Sequence, residues 1–347
     1  MAGLAPGTAQ ATLPWSWYSD PEVLRREQER IFRGAWQYVC PADLVADPGT
    51  YCAGRAGDVP VLVVRDRDGT LRAFLNVCRH RGSVVAEGNG RRETLQCGYH
   101  AWTYDLDGTL RSAPRAEREP GLDTDGIALL PLAVGTWGPL VFVNPNVETE
   151  ALANSLAPVA QLVAREVDLG SLRFRRRDEF ELSCNWKVAV ENYLECYHCP
   201  VAHPGFSAVV DVTPDAYRLE AHGRSSSQFG PRREPGTHGL EGQFHWLWPV
   251  TKLYVLPGPQ NLVAGPLMPL GPDRTAGFLD YFFCDDGLDA EIDELLALDD
   301  QVGREDAVLV EAVQEGVRSG LLEEGRLLPE SERLIAHFQR LVREALA

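Results

Sequence analysis

The segments CRHRG (residues 78–82) and CGYHAW (residues 97–102) set Cys78-x-His80 and Cys97-x-x-His100 sixteen residues apart. Two short loops therefore offer four soft or borderline metal donors. A zinc ion would take all four tetrahedrally. A Rieske 2Fe–2S centre would take the two cysteines on one iron and the two histidines on the other. The loop residues favour the second. Gly82 and Gly98 sit beside ligands, where a side chain would keep backbone N–H groups from the cluster sulfides. Tyr99 and Trp102 can shield the centre and offer it a hydroxyl and an indole N–H. Zinc motifs more often pair Cys with Cys and His with His.

The surrounding sequence is strand-like. VPVLVVRDRDGTLRAFLNV (59–77) holds two strand runs around Asp68-Gly69, and WTYDLDGTLR (102–111) reads as a hairpin turning at Asp107-Gly108. GIALLPLAVGTWGPLVFVNPNV (126–147) is uncharged and about as long as a membrane helix. Pro131, Gly135, Gly138, Pro139 and Pro145 interrupt it, so it predicts two buried strands and a turn. These runs predict a small all-β domain over 38–147. Residues 1–37 are expected to form a helical segment packing on the catalytic domain that follows. Within it, SDPEVLRREQERIF (19–32) starts a helix with Ser19 as N-cap and Pro21 in the first turn. Beyond 148, helical patterns at 149–167, 184–198, 288–318 and in the last twenty residues enclose strand-like alternation over 215–284. The fold class expected is α+β, with a second, catalytic domain over 148–347.

A second cluster lies in NYLECYHCPVAHP (192–204). Cys196-x-x-Cys199 lacks the strand–loop–helix setting of a redox thiol pair, so both cysteines read as small buried hydrophobes. A ferritin-like di-iron site needs two Glu-x-x-His segments, and Glu195-x-x-His198 stands alone. A mononuclear site of two histidines and a carboxylate fits better. Residues five apart on one helix point about 140° apart. Pro200 and Pro204 resolve this by ending the helix near His198 and letting a turn bring His203 back. For the carboxylate, LALDDQVGREDAVLVEAVQEG (296–316) offers Asp299, Asp300, Glu305, Asp306 and Glu311. Asp306 shares a stripe with Val302, Leu309, Val310 and Val313, where a lone carboxylate is costly unless it is paired or metal-bound. Glu305 is the alternative.

The pair CRHRG … CGYHAWTY, followed by NWK … ENY … ECYHCPVAH, closely resembles the α-subunit of Rieske non-haem iron oxygenases over nearly the whole chain. The resemblance implies a Rieske 2Fe–2S domain and a catalytic domain built on a central antiparallel sheet of helix-grip, START-like type. It implies Cys78, His80, Cys97 and His100 as cluster ligands, and His198, His203 and Asp306 on a mononuclear Fe(II). It also gives Glu195 a catalytic role, bridging His198 to His100 of an adjacent chain. Glutamate at this position is similar to the branch acting on quaternary-ammonium compounds. The implied activity is that of a terminal oxygenase using O₂ to hydroxylate, dihydroxylate or demethylate an aromatic compound or a quaternary amine. Its electrons would come from NAD(P)H through a separate reductase, with or without a ferredoxin. The chain length is similar to that of homotrimeric members. Two other classes remain open: a Rieske-type electron carrier without oxygenase activity, and a zinc-binding structural protein.

Composition bounds the rest. The chain has 347 residues, a net charge of −17 and eight cysteines. The acidity argues against a nucleic-acid partner. Residues 51–120 carry eleven Arg against nine Asp and Glu, which reads either as a local basic docking face for an acidic partner or as ordinary solvated surface arginines. The cysteines read as metal ligands or buried hydrophobes rather than disulfides. The first residues lack a signal-peptide pattern, so a cytoplasmic location is expected. In FHWLWPVTKLY, Phe244, Trp246 and Trp248 share a strand face with Tyr254 nearby, either as a substrate pocket or as plain sheet core. Lys252, Gln260 and Asn261 are candidates for orienting a substrate polar group. His222, His238, His245 and His337 read as ordinary residues.

Overall fold

The computed structural model describes residues 10–233, 239–284 and 289–347. His238 lies outside them. The chain divides into two compact units: Phe32–Ser155, and the stretch up to Ile31 together with Leu156 onward. The boundaries expected from sequence were 38 and 147.

Strand β1 (Gln10–Ala11) and helix α1 (Pro21–Arg30) come first. Asp20, rather than Ser19, caps α1, accepting the Glu22 N–H at 2.8 Å. The unit Phe32–Ser155 holds β2 (Gln37–Pro41), β3 (Thr50–Ala56), β4 (Val59–Arg65), β5 (Leu71–Leu75), β6 (Asn89–Arg91), β7 (Leu95–Gln96), β8 (Thr103–Tyr104), β9 (Leu110–Ser112), β10 (Pro131–Trp137) and β11 (Leu140–Asn144). Seven of these form an antiparallel sheet in the order β2-β11-β10-β5-β4-β3-β6, and β7-β8-β9 form a second. Strand alternation builds two cores from one strand. On β4, Val61 and Val63 join Val39, Val141 and Val143, while Leu62 and Val64 face a core that contains Cys78, Cys97 and Trp102. The uncharged stretch is indeed the β10–β11 hairpin, turned at Gly138.

Helix α2 (Leu152–Glu166) leads into the catalytic unit. There β12 (Leu172–Leu182), α3 (Trp186–Tyr193), α4 (Cys199–Ala202), α5 (Pro204–Val209) and strands β13 (Arg218–His222), β14 (Ser225–Gly230), β15 (Gly242–Leu247), β16 (Thr251–Val255), β17 (Asn261–Gly271) and β18 (Arg274–Cys284) precede α6 (Asp289–Val317), β19 (Arg326–Leu327) and α7 (Arg333–Leu346). The sheet is an antiparallel meander from β13 to β18, closed by β12 on the outer edge of β18. No helix among the described residues is long and apolar enough to cross a membrane.

Helix α1 is tied to α3 by a buried charge pair. Lys187 Nζ lies 2.7 Å from Glu27 Oε1, both side chains are 0% exposed, and the Trp186 indole donates to Glu27 Oε2 at 2.8 Å. Removing one partner strands a buried charge, so Glu27→Ala is expected to cost about 3–5 kcal/mol. A urea titration followed by tryptophan fluorescence checks this; an unchanged midpoint would contradict it.

Candidate active site

The unit Phe32–Ser155 brings the four cluster candidates together and sorts them by exposure. Cys78 and Cys97 are buried, whereas His80 and His100 lie at the surface. The imidazoles of His80 and His100 approach to 4.7 Å between ring centroids, and the Trp102 indole stacks on His80 at 5.0 Å. Each loop is a closed turn: Gly82 N–H donates to the Cys78 carbonyl at 3.1 Å, and Ala101 N–H to that of Cys97 at 3.1 Å. Gly82 needs its lack of a side chain, because its φ is +77°. Tyr104 links the loop to the core, its hydroxyl lying 3.3 Å from Cys78 Sγ and accepting the Arg79 N–H at 2.9 Å. Burial would raise the Cys97 thiol pKa, but the N–H groups of Tyr99 and His100 and the neighbouring Cys78 and Ser83 side chains hold it below its usual value. This donor set fits a 2Fe–2S group with an inner sulfur-bound iron and an outer imidazole-bound iron.

In the catalytic unit, α3 starts at Asn185, whose side chain accepts the Lys187 N–H at 3.0 Å. The helix expected over 184–198 stops at Tyr193. Glu195 explains the early end. Its carboxylate accepts the N–H groups of Tyr197 and His198, which turns the chain out of the helix, and it also bonds His198 Nδ1. Glu195 therefore reaches His198 across a capped turn, not along a helix face. His198 then caps the start of α4 and His203 its end. Pro204 disfavours helical geometry at His203, which adopts φ −122° and ψ 66°.

One helical turn between them brings the two imidazoles together. His198 Nε2 and His203 Nε2 lie 3.2 Å apart, and Asp306 Oδ1 on α6 lies 3.0 Å from His203 Nε2 and 3.6 Å from His198 Nε2. The three donor atoms all fall within 4.8 Å of one another. Glu305 sits on the other side of the ring, with its Oε2 at 2.7 Å from His203 Nδ1. Neighbouring acids thus divide the work, one facing the shared point and the other orienting an imidazole. Asn192, which sequence reading missed, donates to Asp306 Oδ1 at 3.1 Å. The stripe argument for Asp306 holds at Val310, which is buried, but Val313 is 50% exposed.

The electrostatics match a cation site. Burial lowers the His198 pKa, yet the Asp306 and Glu195 carboxylates outweigh it and raise the pKa to about 9. His203 is raised against burial by Asp306 and Glu305. Burial alone would lift Asp306, but the two histidines pull it well below the usual carboxylate range. Gln301 and His203 lower Glu305. A dication replaces the imidazole protons that these acids otherwise favour. Two neutral imidazole donors, one carboxylate and open positions suit Fe(II).

Beside this trio is a cavity walled by the rings of Tyr193, Phe206, Tyr217, Phe244 and Tyr254. Phe244 and Tyr254 are cross-strand partners on β15 and β16 with centroids 6.1 Å apart, and Phe206 meets Phe244 at 5.6 Å. The expected pocket residues Trp246 and Trp248 are absent from its lining. Trp246 stands two residues past Phe244, about 7 Å along the strand, and packs on Phe338 of α7 at 5.3 Å. Trp248 packs on Trp246 at 5.9 Å. Of the three polar candidates, Lys252 lines the cavity. Asn261 instead bonds the backbone of Leu256 and Pro259, and Gln260 that of Glu166 and Asp168.

One further reading needs correction. Cys196 and Cys199 form a disulfide with Cα atoms 5.0 Å apart, rather than packing as free thiols. The turn that sets His198 at the start of α4 also brings these two side chains together. His222 and His245 share a partner, with Ser227 Oγ 3.1 Å from His222 Nε2 and 2.8 Å from His245 Nδ1.

A four-donor cluster site in one unit and a two-histidine, one-carboxylate trio in the other define an iron-dependent oxygenase of the Rieske class. The comparisons agree. The profile of the Rieske 2Fe–2S domain matches residues 35–133, and that of the ring-hydroxylating α-subunit catalytic domain matches 169–347. The spinach (Spinacia oleracea) chloroplastic choline monooxygenase is 34% identical, covering 96% of this chain and 78% of its own. The carnitine monooxygenase oxygenase subunit of Acinetobacter pittii is 32% identical, covering 95% and 94%. A quaternary ammonium Rieske monooxygenase solved with L-carnitine superposes with a TM-score of 0.87 at 31% identity, covering 98% and 96%. The chain belongs to the ring-hydroxylating α-subunit family of Rieske oxygenases. It is an oxidoreductase using dioxygen, the oxygenase component of a multicomponent system, with a Rieske cluster and a mononuclear iron as cofactors and a reductase as its source of electrons.

Proposed function

We propose that this oxygenase oxidises a quaternary ammonium compound. One observation carries the reading: the five-ring cavity opens onto the histidine–aspartate trio, and aromatic faces attract a desolvated ammonium. Relatives that act on choline and carnitine support it.

Cys78, His80, Cys97 and His100 hold the 2Fe–2S cluster within a Rieske domain at 38–147. His198, His203 and Asp306 hold iron within a catalytic domain at 148–347. When bound, the cluster supplies single electrons and the iron supplies dioxygen activation. The protein's own residues do the rest. Glu305 fixes the His203 ring through Nδ1, and Glu195 does the same for His198. Asn192 holds the Asp306 carboxylate in position. The aromatic wall positions the substrate and excludes water from the reacting end. The chain works as a homotrimer in which Glu195 bridges to His100 of a neighbouring copy, and a reductase or ferredoxin docks on the arginine-rich cluster loops.

The test is NADH-coupled oxygen uptake with a surrogate reductase, comparing L-carnitine, choline and benzoate. Product from an ammonium compound, with none from benzoate, is expected; the reverse would sink the reading.

A further inference from the structure

Inside the aromatic cavity stands a cation that belongs to the protein. Lys252 projects from β16, two residues before Tyr254 and so on the same face of the strand. Its Nζ lies 4.9 Å from the Tyr193 ring centroid and 5.6 Å from that of Tyr254. One end of the ring-lined wall therefore already carries an ammonium. Among the described residues, Lys252 makes no ion pair and no side-chain hydrogen bond.

The nearby acids are committed elsewhere. Asp299 Oδ2 accepts the hydroxyls of Tyr254 at 2.8 Å and Tyr281 at 2.7 Å. Asp306 is engaged by His198, His203 and Asn192. Both act on Lys252 only through space, and burial lowers its pKa. A half-buried cation with no anionic contact partner is costly, and a second, free cation placed against it would be repelled.

We propose that Lys252 binds the carboxylate of the substrate and thereby selects a zwitterion, a quaternary ammonium acid, over a quaternary ammonium alcohol such as choline. This rests on the quaternary-ammonium reading and deepens it. The carboxylate sits at the Tyr193–Tyr254 end, pairing with the Lys252 ammonium. The substrate's own ammonium then takes the Phe206–Phe244 end, where the rings are 5.6 Å apart and, among the described residues, carry no protein cation. Charge-assisted hydrogen bonds are strong at such a desolvated point.

The test uses the iron-loaded full-length protein under anaerobic conditions, with calorimetric binding of L-carnitine, choline and benzoate, followed by KM and kcat for whichever ligand turns over. Wild type should bind L-carnitine about 30-fold more tightly than choline. Lys252→Gln should weaken L-carnitine by about the same factor, mostly in KM, and leave choline unchanged or tighter. Lys252→Arg should restore most of the carnitine affinity. Equal affinities in wild type, or an equal loss for both ammonium ligands in Lys252→Gln, would overturn the proposal. Benzoate binding that depends on Lys252, with neither ammonium compound binding, would keep the carboxylate partner and overturn the quaternary-ammonium reading.

Discussion

Asp306→Ala should lose the mononuclear iron and keep the colour. The aspartate oxygen sits between two imidazole nitrogens, at 3.0 and 3.6 Å, and no other carboxylate among the described residues faces that point. Iron content should fall from about three to about two per chain, while the visible and EPR spectra of the Rieske cluster stay intact. Turnover should fall below about one thousandth of wild type, because the activity depends on the metal. Glu305 provides the control. Its oxygen addresses His203 Nδ1 rather than the shared point, so Glu305→Gln should keep the iron and lose only about 10-fold in activity. Retained iron in Asp306→Ala, with iron lost from Glu305→Gln, would exchange the two assignments. Zinc in place of iron would point to a structural metal instead.

Glu195→Gln should slow turnover by about 100-fold while both metals remain bound. Glutamine is the informative replacement because this carboxylate does three things: it accepts two backbone N–H groups and holds the His198 ring. Alanine would also release the turn that positions His198, which would mix iron loss with the effect sought. The amide keeps an acceptor for the turn but loses the negative charge. Single-turnover measurement with a pre-reduced cluster separates the two roles, since a slower cluster-oxidation step marks an interrupted electron path. Normal single-turnover rates in Glu195→Gln would leave it as a capping residue only.

The candidate metal donors were far more legible in the sequence than the walls around them. Candidate ligands are legible because their chemistry is rare and their spacing is local. Cys78 to His80, Cys97 to His100, and the Pro-punctuated run from His198 to His203 each lie within a few residues. Asp306 was reachable because an acid beside Val310 on a helix stripe is conspicuous. The cavity was not legible, since its lining comes from α3, α5, α6, β15, β16 and the segment near Tyr217, among others. Alternation placed Phe244 and Trp246 on one face, yet it has no information about which length of that face a helix covers. Here Phe338 covers Trp246 and leaves Phe244 to the cavity. The helix end was misplaced for a related reason. Propensity carried α3 on to His198, whereas a single side-chain cap from Glu195 stopped it at Tyr193.

The short helix α4 works as a ruler. His198 and His203 stand at its two ends, so their separation is fixed by a single turn and by the prolines beside it, not by the sheet behind them. Any insertion there would rotate one donor out of reach, while exchanges at Phe244, Lys252 or Tyr254 leave the donors where they are. Reactivity and selectivity are thereby carried on separate parts of the chain, and new specificities can arise by drift in the strands without rebuilding the iron station.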